Sequence, residues 1–172
     1  MSLRAWTSCP VCREPLAHGE LHVACAACGF VQYENPAATT LAMVLDGREL
    51  LLVRRAQEPR AGLWDTIGGF VDPGETAEEG VAREVREEIA CELDALVPIG
   101  TFASVYGETG RRTLGIAFAC RLAAGARPRL SAENDAVRWF GLDALPELAF
   151  ADGDAAVAAL LADWDGLVAR LG

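Results

Sequence analysis

The segment that most constrains the fold runs from residue 68 to residue 90 and reads GGFVDPGETAEEGVAREVREEIA. Its Asp-Pro-Gly triplet at residues 72–74 disfavours a helix and predicts a loop. Thr76, with Glu79 three residues later, has the spacing of a capping box and predicts a helix start. The segment is therefore predicted to form a loop that leads directly into a helix.

The predicted helix concentrates negative charge on one side. At 100° per residue, with Glu84 placed at zero, Glu88 lies at about 40° and Glu87 at about 300°. Like charges at these spacings repel, and carboxylates in the last turn oppose the helix dipole. One interpretation is a solvated acidic face. The other is a site for Mg²⁺ or Mn²⁺, because hard cations bind carboxylate oxygens. A metal site would explain why the helix tolerates the repulsion between its carboxylates.

The neighbouring side of the helix is apolar. Val81, Val85 and Ile89 lie at about 60°, 100° and 140° on the same scale and are predicted to pack on a sheet. Gly80 lies at about 320°, one turn before Glu84, and its missing side chain is expected to leave room for a ligand. The helix is thus predicted to separate a core from a ligand site.

The rest of the chain predicts strands around this helix. Asp46-Gly47 joins two β-rich runs as a tight hairpin. The runs predicted as strands are 38–45, 49–56, 62–70, 95–106, 113–122 and 136–140. A single last helix is expected over 154–171, with Leu160, Leu161, Val168 and Leu171 on its buried face. Strands, a helix, more strands and a helix predict an α/β fold with a mixed sheet between helices.

Two C-x-x-C pairs, CPVC and CAAC, stand near the N-terminus. In a chain with no export signal, such pairs favour a metal site over disulfides, with a redox dithiol as the alternative. Four thiolates fit tetrahedral Zn²⁺, and so short a segment cannot bury a core without such a cross-link. We therefore predict a zinc ribbon at 1–34 and a second domain at 35–172. The predicted zinc ligands are Cys9, Cys12, Cys25 and Cys28.

The composition limits the partners of the chain. The 172 residues carry a net charge of −10, whereas nucleic-acid-binding proteins are usually basic. Segment 1–34 holds two arginines against three glutamates, and no nucleic-acid partner is expected. All 15 basic residues are arginines, so a side-chain phosphate contact would need arginine. No apolar run is long enough to cross a bilayer, and a cytoplasmic location is expected.

The acidic segment resembles the signature of a known family. Gly69, five residues, Glu75, seven residues, Arg83-Glu84-Val85 and Glu87-Glu88 resemble the Nudix box, G-x5-E-x7-R-E-U-x-E-E-x-G-U, where U is a bulky apolar residue. The resemblance implies a Nudix α/β/α sandwich over the second domain. The preceding zinc ribbon resembles the Nudix subgroup that contains NADH pyrophosphatases.

The match departs from the pattern at the end of the helix. Where the box has glycine and then an apolar residue, this chain has Ala90 and Cys91. Glycine there would serve as a left-handed helix cap, and alanine in that conformation costs about 1 kcal/mol. Either the strain is accepted or the helix ends differently.

The resemblance implies a hydrolase that cleaves a nucleoside diphosphate linked to another moiety, X. The implied ligands of Mg²⁺ or Mn²⁺ are Glu84, Glu87, Glu88 and the carbonyl of Gly69. Arg83 and Glu75 are implied to pair, which would hold the loop against the helix. The general base differs among family members, and the choices in this chain are Glu84, Glu108, Glu133 and Asp135.

The identity of X is less constrained. NADH pyrophosphatases carry an S-Q-P-W-P-F-P-type motif after the box, which the stretch IGTFASVYGETGRR at 99–112 lacks. Tyr106 in this stretch resembles a residue of dinucleoside-polyphosphate hydrolases; it could stack on a base or end a strand. Arg111 and Arg112 could reach phosphate. We expect an ADP-ribose-like or dinucleotide pyrophosphate as substrate, such as NADH, FAD or a diadenosine polyphosphate.

A different class of function stays open at this point. The chain could be a non-catalytic module in which a zinc ribbon and a Nudix-like domain sense a nucleotide or bind nucleic acid. A structural role of the zinc ribbon, as a cap or as the contact of a homodimer, is expected in the enzyme interpretation.

Overall fold

The computed structural model describes residues 3–172, apart from the side chain of Thr109. Met1 and Ser2, which begin the predicted zinc ribbon, lie outside the described residues. The boundary between 1–34 and 35–172 stays a prediction.

The N-terminal unit is a small antiparallel sheet. Strand β2 lies between β1 and β3. The three strands are β1 (Ala17–His18), β2 (His22–Ala24) and β3 (Val31–Tyr33), preceded by a 3₁₀ turn at Leu3–Ala5. Among the described residues, the buried interior of this unit consists of Cys9, Leu16, Val23 and Cys25. So small an apolar core needs a further cross-link to be stable.

A six-stranded sheet forms the centre of the second unit. Its strands are β4 (Ala37–Asp46), β5 (Glu49–Arg55), β6 (Trp64–Asp65), β7 (Leu93–Tyr106), β8 (Arg111–Leu122) and β9 (Asn134–Gly141). The order is β6-β5-β4-β8-β7, and β9 pairs with β5. The central pair, β4 and β8, is parallel, whereas the other neighbours are antiparallel. The sheet is therefore mixed, as the sequence predicts.

Helices cover both faces of this sheet. Helix α1 (Ala77–Ile89) packs on one face, and α2 (Ala151–Ala162) and α3 (Trp164–Leu171) pack on the other. The apolar side of α1 predicted from the sequence is fully buried there. The structure confirms the predicted α/β/α sandwich. No helix in the part of the chain from residue 3 onward is long and apolar enough to cross a membrane.

Two predicted elements differ from the structure. The strand expected over 62–70 is limited to β6, because the chain beyond it touches β4 only through isolated bridges from Ile67 and Phe70. The last helix is broken at Asp163, whose φ of −119° is not helical. The break turns the residues after it, so that Leu167 is buried while Val168, predicted as core, is 39% exposed. Leu161, also predicted as core, lies before the break in α2 and is 40% exposed.

Ala90 ends α1 in the conformation that a glycine would adopt. Its backbone has φ 54° and ψ 38°, a left-handed conformation, and its N–H donates to the carbonyl of Arg86. The helix therefore ends as a glycine would end it, and the steric cost of the alanine Cβ is accepted.

Replacing Ala90 by glycine should stabilise the protein. The substitution removes about 1–2 kcal/mol of backbone strain. Glycine also makes the unfolded chain more flexible, which offsets about 0.4–1 kcal/mol of this gain. We expect the free energy of unfolding in denaturant titrations to rise by about 0.5–1 kcal/mol. The matched control is Ala82→Gly inside α1, which should lower it by about 1 kcal/mol. A decrease for Ala90→Gly would contradict the strain.

Candidate active site and metal centres

Helix α1 is fixed at its start by its own sequence. The Thr76 hydroxyl accepts a hydrogen bond from the N–H of Glu79, and the Glu79 carboxylate accepts one from the N–H of Thr76. The predicted capping box is confirmed. Because Val81 and Val85 are fully buried against the sheet, the rotation of the helix is also fixed. The acidic side of α1 is thereby directed toward the loop at 68–75.

The three carboxylates of α1 have different environments. Glu84 and Glu88 are 9% and 6% exposed, whereas Glu87 is exposed. Burial raises the pKa of Glu84 above its ordinary value and raises the pKa of Glu88 to about 8. Buried carboxylates are disfavoured as anions unless a positive charge compensates them. The acidic side of α1 is therefore partly desolvated and is not simply a solvated face.

Arg83 joins the loop to this helix. Its Nε and Nη2 donate to the two oxygens of Glu75 at 3.1 and 2.8 Å, a bidentate pair, and Nη2 also donates to the carbonyl of Phe70 at 3.0 Å. Its Nη1 donates to Glu84 at 2.8 Å and to Glu87 at 3.0 Å. The hydrogen bonds from Arg83 hold the pKa of Glu75 below its ordinary value. One guanidinium thus fixes three carboxylates and a loop carbonyl.

Two glycines let these groups approach each other. A Cβ on Gly69 would clash with the Glu84 carboxylate in its present position, so that carboxylate would have to move. A Cβ on Gly80 would lie 2.9 Å from Oε1 of Glu75. The space beside Gly80, expected from the sequence to take a ligand, is instead occupied by the Glu75 carboxylate.

Glu88 is held by partners from elsewhere in the chain. Its Oε1 accepts from the N–H of Gly68 at 3.0 Å, and its Oε2 accepts from the amide of Asn134 at 2.6 Å. Asn134 is buried at the start of β9 and was not among the predicted site residues. Nothing in its local sequence indicates this contact, since 46 residues separate the pair.

A cavity of about 330 Å³ opens above this cluster. Its lining includes Gly68, Gly69, Glu84, Glu87, Tyr106 and Phe150. The rings of Tyr106 and Phe150 are stacked, with centroids 5.4 Å apart, and Phe70 meets Tyr106 edge-on. The buried hydroxyls of Thr39 and Thr40 also line the cavity and find no hydrogen-bond partner among the described residues. Unsatisfied buried hydroxyls at a cavity are consistent with a polar ligand.

The structure separates the candidates for the general base. Glu133 lines the cavity beside Glu84, and its charge contributes to the raised pKa of Glu84. Asp135 instead accepts from Nε of Arg54 at 2.7 Å, and Glu108 pairs with Arg60 at 3.4 Å on the surface. Only Glu84 and Glu133 of the four candidates line the cavity.

Two buried acids in the cavity wall, Asp65 and Asp152, were not among the predicted site residues. Asp65 accepts from Nη1 of Arg55 at 3.2 Å, and burial raises its pKa to about 7 in spite of that contact. Asp152, at the start of α2, is also buried, which raises its pKa. Asp65 lies in a run predicted only as a strand, and Asp152 lies two residues before the start of the predicted last helix. Their burial is not encoded locally.

The donor chemistry of the acidic cluster fits a hard divalent cation such as Mg²⁺ or Mn²⁺. Desolvated carboxylates are ligands that such an ion prefers, whereas the Gly69 carbonyl, the other predicted ligand, accepts a hydrogen bond from the N–H of Thr40 at 2.8 Å. In this structure the cation nearest Glu84 and Glu87 is the guanidinium of Arg83. The carboxylates of α1 do not converge on one point, because Glu88 is directed to Gly68 and Asn134.

The sulfur atoms of the four N-terminal cysteines, in contrast, lie close together. Among the described residues, they are the only group of three or more candidate ligands whose atoms all lie within 4.8 Å of one another. The sulfurs of Cys9 and Cys28 are 3.6 Å apart, and those of Cys12 and Cys25 are 3.4 Å apart. Zn–S bonds of about 2.3 Å in a tetrahedron separate sulfurs by about 3.8 Å. The cluster therefore fits Zn²⁺.

Comparison with known proteins identifies the family. A family model described as the NUDIX domain matches residues 35–161, and the chain belongs to this family. The NAD-capped RNA hydrolase NudC of Stutzerimonas stutzeri is 35% identical over 144 residues, which cover 81% of this chain and 50% of that protein. NudC of Chromobacterium violaceum is 36% identical over 143 residues, covering 81% and 52%. The chain thus spans about half the length of these relatives.

Solved structures agree with the fold. A NUDIX hydrolase from Nitrosomonas europaea superposes with a TM-score of 0.71 at 21% identity, covering 94% of this chain and 93% of that one. A MutT NUDIX hydrolase from Burkholderia pseudomallei gives a TM-score of 0.68 at 25% identity, covering 74% and 99%. The first comparison extends over most of the chain, including the N-terminal part.

Proposed function

We propose that the chain hydrolyses the pyrophosphate bond of a nucleoside diphosphate linked to X, with Mg²⁺ or Mn²⁺ as cofactor. The observation that carries this proposal is the Arg83-centred cluster at the cavity. It holds Glu75, Glu84 and Glu87 in fixed positions and leaves two carboxylates of α1 buried. Fixed, desolvated carboxylates suit the binding of a divalent cation beside a polyphosphate.

Each residue of the cluster has a proposed role. Glu84, Glu87, Glu88 and the carbonyl of Gly69 would hold the divalent cation. When bound, such an ion neutralises pyrophosphate charge and makes a water molecule more acidic. Arg83 and Glu75 position the loop and the helix, since their bidentate pair joins the two. Glu84 or Glu133 would accept the proton of the attacking water, because both line the cavity.

The cavity supports a nucleotide derivative as substrate. The aromatic side chains of Phe70, Tyr106 and Phe150 line the same cavity as the acidic cluster. A base or a nicotinamide ring could pack there while the pyrophosphate meets the cation site. An ADP-ribose-like or dinucleotide pyrophosphate fits this arrangement. The relatives named NAD-capped RNA hydrolase add NAD-derived pyrophosphates to the classes to be tested.

The zinc unit is proposed to be structural. Its interior has four buried residues, two of which are the proposed zinc ligands Cys9 and Cys25. A homodimer and a cytoplasmic location stay predictions from the sequence. Removal of 1–34 followed by mass measurement in solution tests whether this unit forms a dimer contact.

A substrate panel tests the proposed function. The full chain is incubated with Mg²⁺ or Mn²⁺ and ADP-ribose, NADH, FAD, diadenosine polyphosphates, CoA or nucleoside triphosphates. We expect cleavage of at least one nucleoside diphosphate derivative within its pyrophosphate, with a nucleoside monophosphate among the products. Binding without hydrolysis of any member would support the non-catalytic sensing module instead.

A further inference from the structure

The active-site cavity has a polar wall on the side of the sheet that α2 covers. The strand register pairs Thr39 of β4 with Gly115 of β8, and Thr113 of β8 with Ser104 of β7. Paired residues, and residues two apart in one strand, direct their side chains to the same face. A Cβ on Gly115 would lie 3.0 Å from Oδ2 of Asp152, which identifies this face as the α2 face. The α2-side wall therefore comprises Thr39, Ser104, Thr113 and Asp152, all of which line the cavity.

Asp152 is the acidic group of this wall. It is 7% exposed, and burial raises its pKa, whereas hydrogen bonds from backbone N–H groups and from the Ser104 hydroxyl lower it. Its Oδ1 accepts from the N–H of Gly153 at 3.2 Å. In the part of the chain from residue 3 onward, the ion pairs do not include Asp152. A carboxylate has about four acceptor positions, so Asp152 can accept further hydrogen bonds from a ligand.

The charge around Asp152 disfavours a phosphate group at this wall. Burial, together with the charge of Asp152, raises the pKa of Asp65 to about 7, so the two acids lie near each other. Among the described residues, the cations that line the cavity are Arg55 and Arg83. Arg55 is paired with Asp65, and Arg83 is bound to the carboxylates of α1 and its loop. A ligand group at the α2-side wall therefore has to be uncharged or a hydrogen-bond donor.

The aromatic residues beside this wall limit the shape of the bound group. The rings of Tyr106 and Phe150 stack on each other with centroids 5.4 Å apart, which is a direct contact distance. A flat nucleobase therefore has no slot between the two rings. A sugar is not flat, and its adjacent hydroxyl groups are the donors that a carboxylate and neighbouring hydroxyls accept.

We propose that the α2-side wall binds the free vicinal hydroxyl groups of a sugar in the substrate, with Asp152 as the specificity-determining acceptor. The inference rests on the proposed function and describes the part of the substrate next to the pyrophosphate. Carboxylates accept hydrogen bonds from ribose hydroxyls in dinucleotide sites, whereas a phosphorylated hydroxyl needs arginine there. The sugar belongs either to the nucleoside or to X, and both present the same chemistry to Asp152.

Binding of an analogue that cannot be hydrolysed tests the wall by itself. The probes are α,β-methylene ADP-ribose and its two monodeoxy forms, which lack the 2′-hydroxyl of the adenosine ribose or of the terminal ribose. Binding to the full chain with Mg²⁺ is measured by calorimetry. One monodeoxy form should bind about ten-fold more weakly than the parent, because it loses a hydrogen bond to a charged group. Which form is affected identifies the sugar at the wall.

Asp152→Asn should weaken binding of the parent analogue about ten-fold and reduce its advantage over the affected monodeoxy form to about two-fold. The matched control is Asp154→Asn, which removes an exposed acid from the same first turn of α2 and should leave both quantities unchanged. A purely structural role of Asp152 in α2 predicts no such coupling between the variant and one hydroxyl of the ligand.

Two outcomes would overturn the proposal. One is equal affinity of the wild-type chain for the three analogues, or no binding of any of them, a comparison that needs no variant. The other is the same loss for the monodeoxy form in the wild type and in Asp152→Asn, because additive effects mean that the hydroxyl and the carboxylate do not interact.

The result is separable from the proposed function. If the chain hydrolyses ADP-ribose with Mg²⁺ but binds the three analogues equally, only the inference about Asp152 fails. If binding depends on one hydroxyl and on Asp152 as expected but no pyrophosphate is cleaved, the sugar site stands and the catalytic proposal fails.

Discussion

Glu84→Gln and Glu87→Gln are each expected to lower kcat for pyrophosphate hydrolysis on the order of 10³-fold. Both carboxylates hold the divalent cation in the proposed site, and a neutral amide is a much weaker ligand for a hard cation. Initial rates are measured with the best substrate of the panel across a titration of Mg²⁺. Excess metal should not restore the rate fully, because the second carboxylate alone cannot fix the position of the ion.

The fold should survive these substitutions. Glu84 is buried and its raised pKa reflects disfavoured ionisation, so a neutral side chain of the same shape removes a buried charge. Arg83 keeps its two hydrogen bonds to Glu75 in either variant. Because Arg83 also stays in its ion pair with Glu75, we expect both variants to unfold cooperatively, with a midpoint close to that of the wild type. A loss of activity can therefore be assigned to the site.

Glu78→Gln provides the matched control for this prediction. Glu78 lies in the first turn of the same helix and is exposed. Its substitution should leave kcat within about two-fold of wild type. Near-normal turnover in both Glu84→Gln and Glu87→Gln, or an equal loss in Glu78→Gln, would remove the carboxylates of α1 from the mechanism.

The purified chain is expected to contain one zinc ion, and Cys12→Ser is expected to lose it. Structural zinc contributes about 10–16 kcal/mol of binding free energy in small domains, far more than the few buried apolar groups of this unit can supply. Without the ion, segment 3–34 should unfold locally. Elemental analysis measures the zinc, and limited proteolysis should cleave this segment while the Nudix domain stays intact.

Cys91→Ala is the control for the zinc prediction. Cys91 is buried in the core beneath α1, far from the cysteine cluster in the fold. Its substitution should leave the zinc content at one ion per chain and the N-terminal segment protected. Retention of zinc and of protease resistance by Cys12→Ser would contradict the predicted ligand set.

Helix α1 could be predicted from the sequence because the features that define it involve residues close to one another in the chain. The capping box at Thr76 and Glu79 and the apolar side formed by Val81, Val85 and Ile89 depend on residues within one or two turns. Helical spacing also placed Glu84, Glu87 and Glu88 on one side. The hairpin between β4 and β5 followed from Asp46-Gly47 in the same way.

Features that depend on distant residues could not be predicted. Asn134 reaches Glu88 across 46 residues, and Asp65 and Asp152 are buried in the wall of a cavity formed by segments far apart in the sequence. The break at Asp163 has no proline or glycine at that position to indicate it. Helical periodicity continued through the break and therefore assigned Val168 to the core.

Product analysis of ADP-ribose hydrolysis tests the central claim most directly. The full chain is incubated with ADP-ribose in Mg²⁺ or in excess chelator, and the products are followed by ³¹P NMR. We expect AMP and ribose 5-phosphate with Mg²⁺ and no turnover in chelator. Glu84→Gln with Mg²⁺ should behave like the wild-type enzyme in chelator. If ADP-ribose and the other members of the panel stay intact with Mg²⁺ and Mn²⁺, or are cleaved equally well by Glu84→Gln, the site is not a pyrophosphohydrolase centre.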